Sequence, residues 1–212
     1  MENSKFKKAF ILFIIGQFFL LVGTLNIGAN FKVLPSWFAL FILASFIGFV
    51  LFYLACIKLY KINKNYLRTL ISLVIYTVIC ILADACARSK DDFYLTWSNG
   101  LTVSASFILC VFYVCFFLGT SDYFKGENAK QGNKKSKIAA IMLVILFVTE
   151  RVLAFISSFN AVKLNLVFYS VCRFGSWGLQ FVINAYIFAI LIVIFVHMNK
   201  KDGGVKNNEE IE

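Results

Sequence analysis

Long apolar runs separated by short polar segments dominate the chain, and six of them are long enough to matter. A helix needs ~20 apolar residues to cross a hydrocarbon core of ~30 Å, because it rises ~1.5 Å per residue. The six runs are Ala9–Ala29, Trp37–Leu59, Arg68–Ala87, Ser98–Thr120, Ile138–Phe159 and Leu164–Met198. They predict an all-α, polytopic integral membrane protein with six transmembrane helices, a single domain over 9–198. A short segment, 1–8, precedes it, and a flexible tail, 199–212, follows. The longest connection, 121–137, is rich in Lys, Gly, Asn and Gln and reads as a solvated, mobile loop. The sixth run is longer than a bilayer requires, so it must tilt, break or project.

Polar positions inside the runs are the next layer of the pattern. On the sixth run Arg173, Trp177, Gln180 and Asn184 follow spacings of four, three and four, which keeps them on one helix face, with Tyr169 a turn above. On the third, Ser72, Tyr76, Cys80 and Asp84 recur every fourth residue. Run four adds Ser98, Asn99, Thr102, Ser104 and Ser106, and run one adds Gln17, Thr24 and Asn26. Lipid offers polar groups no partners, so both stripes are expected to face the bundle interior. The Ala44-to-Gly48 spacing on run two is a small-xxx-small helix-packing pattern.

Apart from Lys58 and Arg68 at run ends, four charges lie within the runs: Asp84, Glu150, Arg151 and Arg173. Intramembrane charges are costly and commonly mark ligand or ion paths. Runs five and six are joined by a short loop and are therefore expected to be antiparallel neighbours. Glu150 and Arg173 each lie ~13 Å from the joined ends at ~1.5 Å per residue, so they should face each other at one depth. Glu150 and Arg151 are adjacent, about 100° apart on a helix, and are expected to point different ways, one toward a polar chamber and the other toward a neighbouring helix. Cβ tilt toward the helix N-terminus aims Arg173 toward the nearer membrane surface.

Charge outside the runs sets the topology. Fifteen basic residues fall in the terminal segments and the second and fourth connections: Lys5, Lys7, Lys8, Lys58, Lys61, Lys64, Arg68, Lys125, Lys130, Lys134, Lys135, Lys137, Lys200, Lys201 and Lys206. Only Lys32, Arg88, Lys90 and Lys163 fall in the other three. The positive-inside rule then puts both termini in the cytoplasm, in a plasma membrane. Trp37, Tyr94 and Trp97 suit the outer interface, and Tyr60, Tyr66 and Tyr123 the inner one. The basic start followed by an apolar run also fits a secretory signal, but the run is long enough to span, and Ile27 and Ala29 form a poor cleavage site, so an uncleaved span is expected.

Composition narrows the function classes. The chain has 212 residues, 60% of them apolar and 15% charged, with mean hydropathy +0.81. That excludes an ordinary soluble domain or a coiled coil. The net charge of +10 is a topology signal and does not indicate a nucleic-acid partner. Six cysteines fall inside or at the ends of the runs without a Cys-x-x-Cys motif, and read as small apolar residues. A Cys86–Cys172 disulfide would require their Cα atoms to approach closely. His197 is the single histidine, so a bis-histidine haem or a His-Glu-x-x-His zinc site is excluded within one chain. Neither a Walker A, a Gly-x-Ser-x-Gly nor a Gly-x-Gly-x-x-Gly motif occurs, and no metal, cofactor or catalytic residue is expected.

These features favour an outward-opening intramembrane polar site that binds or transports a small polar solute, anionic or zwitterionic. The residues expected to serve it are Arg173, Glu150, Asp84, Trp177, Gln180, Asn184, Tyr169 and Tyr76, with Arg151 and Glu150 also candidates for structural pairing. The competing reading is a non-transporting sensor, regulatory or immunity-type subunit that acts through a protein partner docked at 121–137.

Overall fold

The computed structural model describes the backbone of residues 2–24, 38–88, 92–126, 130–162 and 166–209, and the side chains of 4–24, 40–88, 93–94, 97–125, 130–156 and 167–199. Trp37, Asn26, Lys32, Lys90, Lys163 and the side chains of the 199–212 tail from Lys200 onward lie outside these described residues. The described chain is helical: α1 (Glu2–Thr24), α2 (Phe38–Ile62), α3 (Leu67–Ala87), α4 (Asp92–Gly126), α5 (Lys130–Val162) and α6 (Leu166–Glu209). A 3-10 turn, Lys64–Tyr66, joins α2 to α3, and Asn63 caps it by accepting the Asn65 N–H at 2.9 Å. Six helices are long and apolar enough to cross a membrane.

The helices outrun the apolar stretches. α1 begins at Glu2, α4 continues to Gly126, α5 begins at Lys130, and α6 extends to Glu209. The 121–137 segment, expected to be a mobile loop, is therefore mostly the ends of two helices, and the tail expected to be flexible continues α6. Polar residues end a hydropathy run but not a helix, since Lys, Gln and Glu support helices well. Tertiary contacts hold the α4–α5 hairpin: Ser121 Oγ donates to Asn133 Oδ1 at 2.6 Å, and Phe124 and Ala139 are buried.

In chain order each helix packs on the next, and α6 returns to pack on α1, so the six close into a ring. The α2–α3 contact is the thinnest, and Tyr53 bridges it through its hydroxyl, 2.7 Å from Thr77 Oγ1. α1 and α2 approach closely because glycines face each other: a Cβ on Gly48 would sit 2.8 Å from the Gly16 carbonyl oxygen. This is the small-residue crossing that lipid-embedded helices favour.

Rings fill the centre at the end where α1 begins. Phe10, Phe13, Phe52, Phe112 and Phe116 are fully buried there. Phe13 stacks on Phe116 with ring centroids 3.7 Å apart and on Phe52 at 4.3 Å, while Phe6 stacks on Tyr123 at 3.7 Å. Aromatic pairs of this kind add roughly 0.5–1.5 kcal/mol beyond their buried area. The outer surface is apolar in turn: Phe155 is 72% exposed and Ile141 62%, which suits hydrocarbon and not water.

Candidate functional site

Beyond the aromatic end the ring of helices encloses a crevice of about 230 Å³. All six helices line it. α1 contributes Gly23 and Thr24, α2 Ser45 and Phe49, α3 Tyr76, α4 Ser106 and Tyr113, α5 Glu150 and Arg151, and α6 Gln180 and Asn184. Its volume falls below the ~300–1,000 Å³ usual for drug-sized ligand pockets and leaves room only for a small solute.

A hydrogen-bonded layer forms one boundary of the crevice. Gln17 is fully buried, and its amide donates to the side-chain oxygen of Asn184 at 3.0 Å and to the Asn184 carbonyl at 3.2 Å. The Tyr113 hydroxyl donates to Gln17 Oε1 at 2.7 Å, and Asn184 Nδ2 donates to the Gln180 carbonyl at 3.0 Å. Three helices, α1, α4 and α6, are thus tied side chain to side chain where the crevice meets the rings.

The charged wall is built from α5. Glu150 is 1% exposed, and its carboxylate accepts Nε and Nη2 of Arg151 on separate oxygens as a bidentate fork. Ser176 Oγ of α6 donates to Glu150 Oε1 at 2.7 Å. The expectation that adjacent Glu150 and Arg151 point apart is corrected here. The 100° between their Cβ atoms is spanned because the long Arg stem lets its planar fork turn back onto the carboxylate. The depth match also shifts. Glu150 meets Ser176, not Arg173, one helical turn away along α6. A guanidinium has five N–H donors, and this fork engages Nε and one hydrogen of Nη2. Three N–H donors remain on Arg151 at the wall of the crevice.

The other expected site residues divide. Tyr76, Glu150, Gln180 and Asn184 line the crevice together. Arg173 is exposed; its Nη1 donates to the Tyr169 hydroxyl, and its guanidinium carbon lies 5.6 Å from that ring's centroid. Tyr169 and Trp177 are half-buried and do not appear in the lining of the crevice. Asp84 is at the surface, with 63% of its side chain exposed, and pairs with Arg88 Nη2 at 2.6 Å. The inward stripe expected on α3 fails at that point for a geometric reason. A spacing of four advances 400° on a 3.6-residue helix, so each step drifts about 40°. From buried Ser72 through half-buried Tyr76 to Asp84 the drift accumulates to about 120°, which carries the carboxylate out of the interior.

Tyr113 and Ser176 were not expected from the sequence, whereas Arg151 was expected as an ion-pairing residue and pairs with Glu150. Gln17 was visible as a polar residue on run one, but no spacing rule could link it to α4 and α6. Tyr113 lies within the aromatic-rich run Phe112–Phe117, where its hydroxyl does not stand out. All six cysteines are free thiols, Cys86 and Cys172 included. Among the described residues no three His, Cys, Asp or Glu side chains gather as a metal-binding group. No protein-family model, curated protein or solved structure matches this chain.

Proposed function

We propose that this chain is a multi-pass protein of the plasma membrane, with both termini cytoplasmic, that binds a small anionic or zwitterionic solute in the axial crevice. The observation that carries the reading is Arg151. Its charge is balanced by Glu150, so it persists in an apolar setting, yet three of its donors are unspent at the crevice wall. A carboxylate or phosphate oxygen satisfies such donors well. The Glu150 oxygens already accept three bonds, so a cationic group on the solute would turn instead to Tyr76, Gln180 and the Ser45 and Ser106 hydroxyls. The anion-binding role falls to Arg151 and not to Arg173, which does not line the crevice. The fifteen-to-four bias in basic residues supports cytoplasmic termini and a crevice opening outward.

A carrier would have to open the stacked rings of Phe13, Phe52 and Phe116, which close the opposite end. That seal favours, as a second reading, a receptor or regulatory subunit that senses the solute without passing it. Labelled amino acids, small carboxylates and phosphate esters offered to the purified protein, then to proteoliposomes, test both. Binding with uptake supports the carrier, and binding without uptake supports the receptor. An absence of binding across the panel removes the proposal.

A further inference from the structure

At the end where the rings lie, the start of α1 and the end of α2 form a second cleft, about 350 Å³, lined by Lys5, Lys8, Lys58, Lys61 and Ile62. Four lysines line it, and among the described residues none of them forms an ion pair. The four lysines are all exposed, and a lysine can lay its alkyl stem on apolar surface while its charged end stays in water. Like charges lining one cleft repel one another, and an anion held among them lowers that cost.

Exposed aliphatic side chains follow the lysines along both helices. Along α2, Leu54 lies a turn from Lys58 and Ile57 a turn from Lys61; along α1, Ile11 lies a turn from Lys8, and Ile15 a turn further. These four apolar side chains are all exposed, at 38–46%. Both helices are apolar enough to span a membrane, and the lysines stand at the ends of their spans, Ser4–Thr24 and Leu40–Ile62. A basic cluster at the interfacial level above exposed aliphatic side chains matches one kind of molecule: a negatively charged head on hydrocarbon tails.

We propose that this cleft holds the phosphate headgroup of an anionic phospholipid, with its acyl chains along Ile11, Ile15, Leu54 and Ile57. The site is separate from the axial crevice and does not depend on it. Lys5 and Lys8 from α1 and Lys58 and Lys61 from α2 would clamp one phosphate between them, so the lipid links the two helices.

The test uses the full chain purified in a mild detergent, with retained lipid counted by native mass spectrometry and thermal stability measured in parallel. Phosphatidylglycerol, phosphatidylcholine, inorganic phosphate and glycerol phosphate are the added probes. The expected result is preferential retention of phosphatidylglycerol with a rise in Tm that phosphatidylcholine does not give. Lys8→Gln/Lys58→Gln should reduce that retention at least tenfold. Lys130→Gln/Lys134→Gln removes the same charge at the same end of the bundle and should leave retention within twofold. Because Lys8→Gln/Lys58→Gln relieves repulsion, this variant should fold and keep its Tm in phosphatidylcholine. Equal retention of the two lipids, equal loss in both double variants, or a Tm rise with inorganic phosphate matching that with phosphatidylglycerol would each overturn the proposal.

Discussion

Gln17 on α1 and Asn184 on α6 bond side chain to side chain at 3.0 Å, and the oxygen of the same Gln17 amide accepts the Tyr113 hydroxyl of α4 at 2.7 Å. One buried amide therefore joins three helices between the crevice and the stacked rings. Interhelical hydrogen bonds in membranes are modest, about 0.6 kcal/mol on average and ~1.7 at most. Gln17→Leu breaks three such bonds and should lower stability by about 1–2 kcal/mol in a denaturing-detergent titration. Tyr113→Phe should cost less than about 1 kcal/mol alone and close to nothing once Gln17 is gone. Additive losses in the double variant would show that the two side chains do not act as a unit.

The Glu150–Arg151 pair should behave as a buried pair and not as a surface one. Glu150→Gln leaves a guanidinium, 16% exposed in its side chain, without its counter-charge. Removing one partner of such a pair costs about 3–5 kcal/mol, whereas removing both is often near neutral. Glu150→Gln should therefore lose about 3 kcal/mol by thermal or chemical unfolding, and Glu150→Gln/Arg151→Gln should regain most of it. If the double variant is as unstable as the single, the loss arises from packing and not from charge.

Close approach of α1 and α2 rests on the glycines that face each other. A Leu at position 48 would drive its Cβ into the Gly16 carbonyl region and the Leu20 side chain. Overpacking of this kind costs about 1–3 kcal/mol, and Gly48→Leu should lie at or above the top of that range. Gly100 is the control, since a Cβ there meets nothing within 4 Å. Gly100→Ala should be neutral or stabilising by up to about 1 kcal/mol, as expected for a helical glycine. Equal effects at the two positions would contradict the tight crossing.

If the crevice opens to water as proposed, it is open to small polar reagents. In a background with the six native cysteines replaced, Ser106→Cys should react with a membrane-impermeant thiol reagent applied to the side opposite the N-terminus. Phe116→Cys, within the stacked rings, should not react from either side. Labelling of Ser106→Cys only from the N-terminal side would reverse the topology, and no labelling from either side would close the crevice.

Much of this architecture was legible because it follows from length and lipid. Six apolar runs of spanning length leave few alternatives to six helices, and the short fifth connection made α5 and α6 neighbours. The helix ends were not legible: hydropathy stops at polar residues such as Ser121 and Lys130, while hydrogen bonding and the burial of Phe124 carry the helices onward. Polar stripes were legible only over short distances. On α6, Gln180 and Asn184 reach the crevice, whereas on α3 the accumulated rotation takes Asp84 to the surface. Pairing was the least legible feature. Helix wheels place Cβ atoms, but the long Arg151 stem crosses 100° to reach its neighbour, and α6 offers Ser176 to Glu150 through a small difference in register. Tyr113 and Gln17 meet only because α4 lies across the bundle from α1, a relation that no spacing within one helix encodes.

The most direct measurement is solute binding resolved by variant. A ligand at 100 times its Kd stabilises a protein by about 2.7 kcal/mol, roughly 5–10 °C for a chain of this length. A panel of small anionic and zwitterionic metabolites should contain at least one that raises the Tm of the purified protein by that amount. Ser106→Leu, which fills the crevice, should abolish the shift, and Arg173→Ala, outside it, should retain it. A shift that survives Ser106→Leu but disappears with Arg173→Ala would contradict a solute site in the axial crevice.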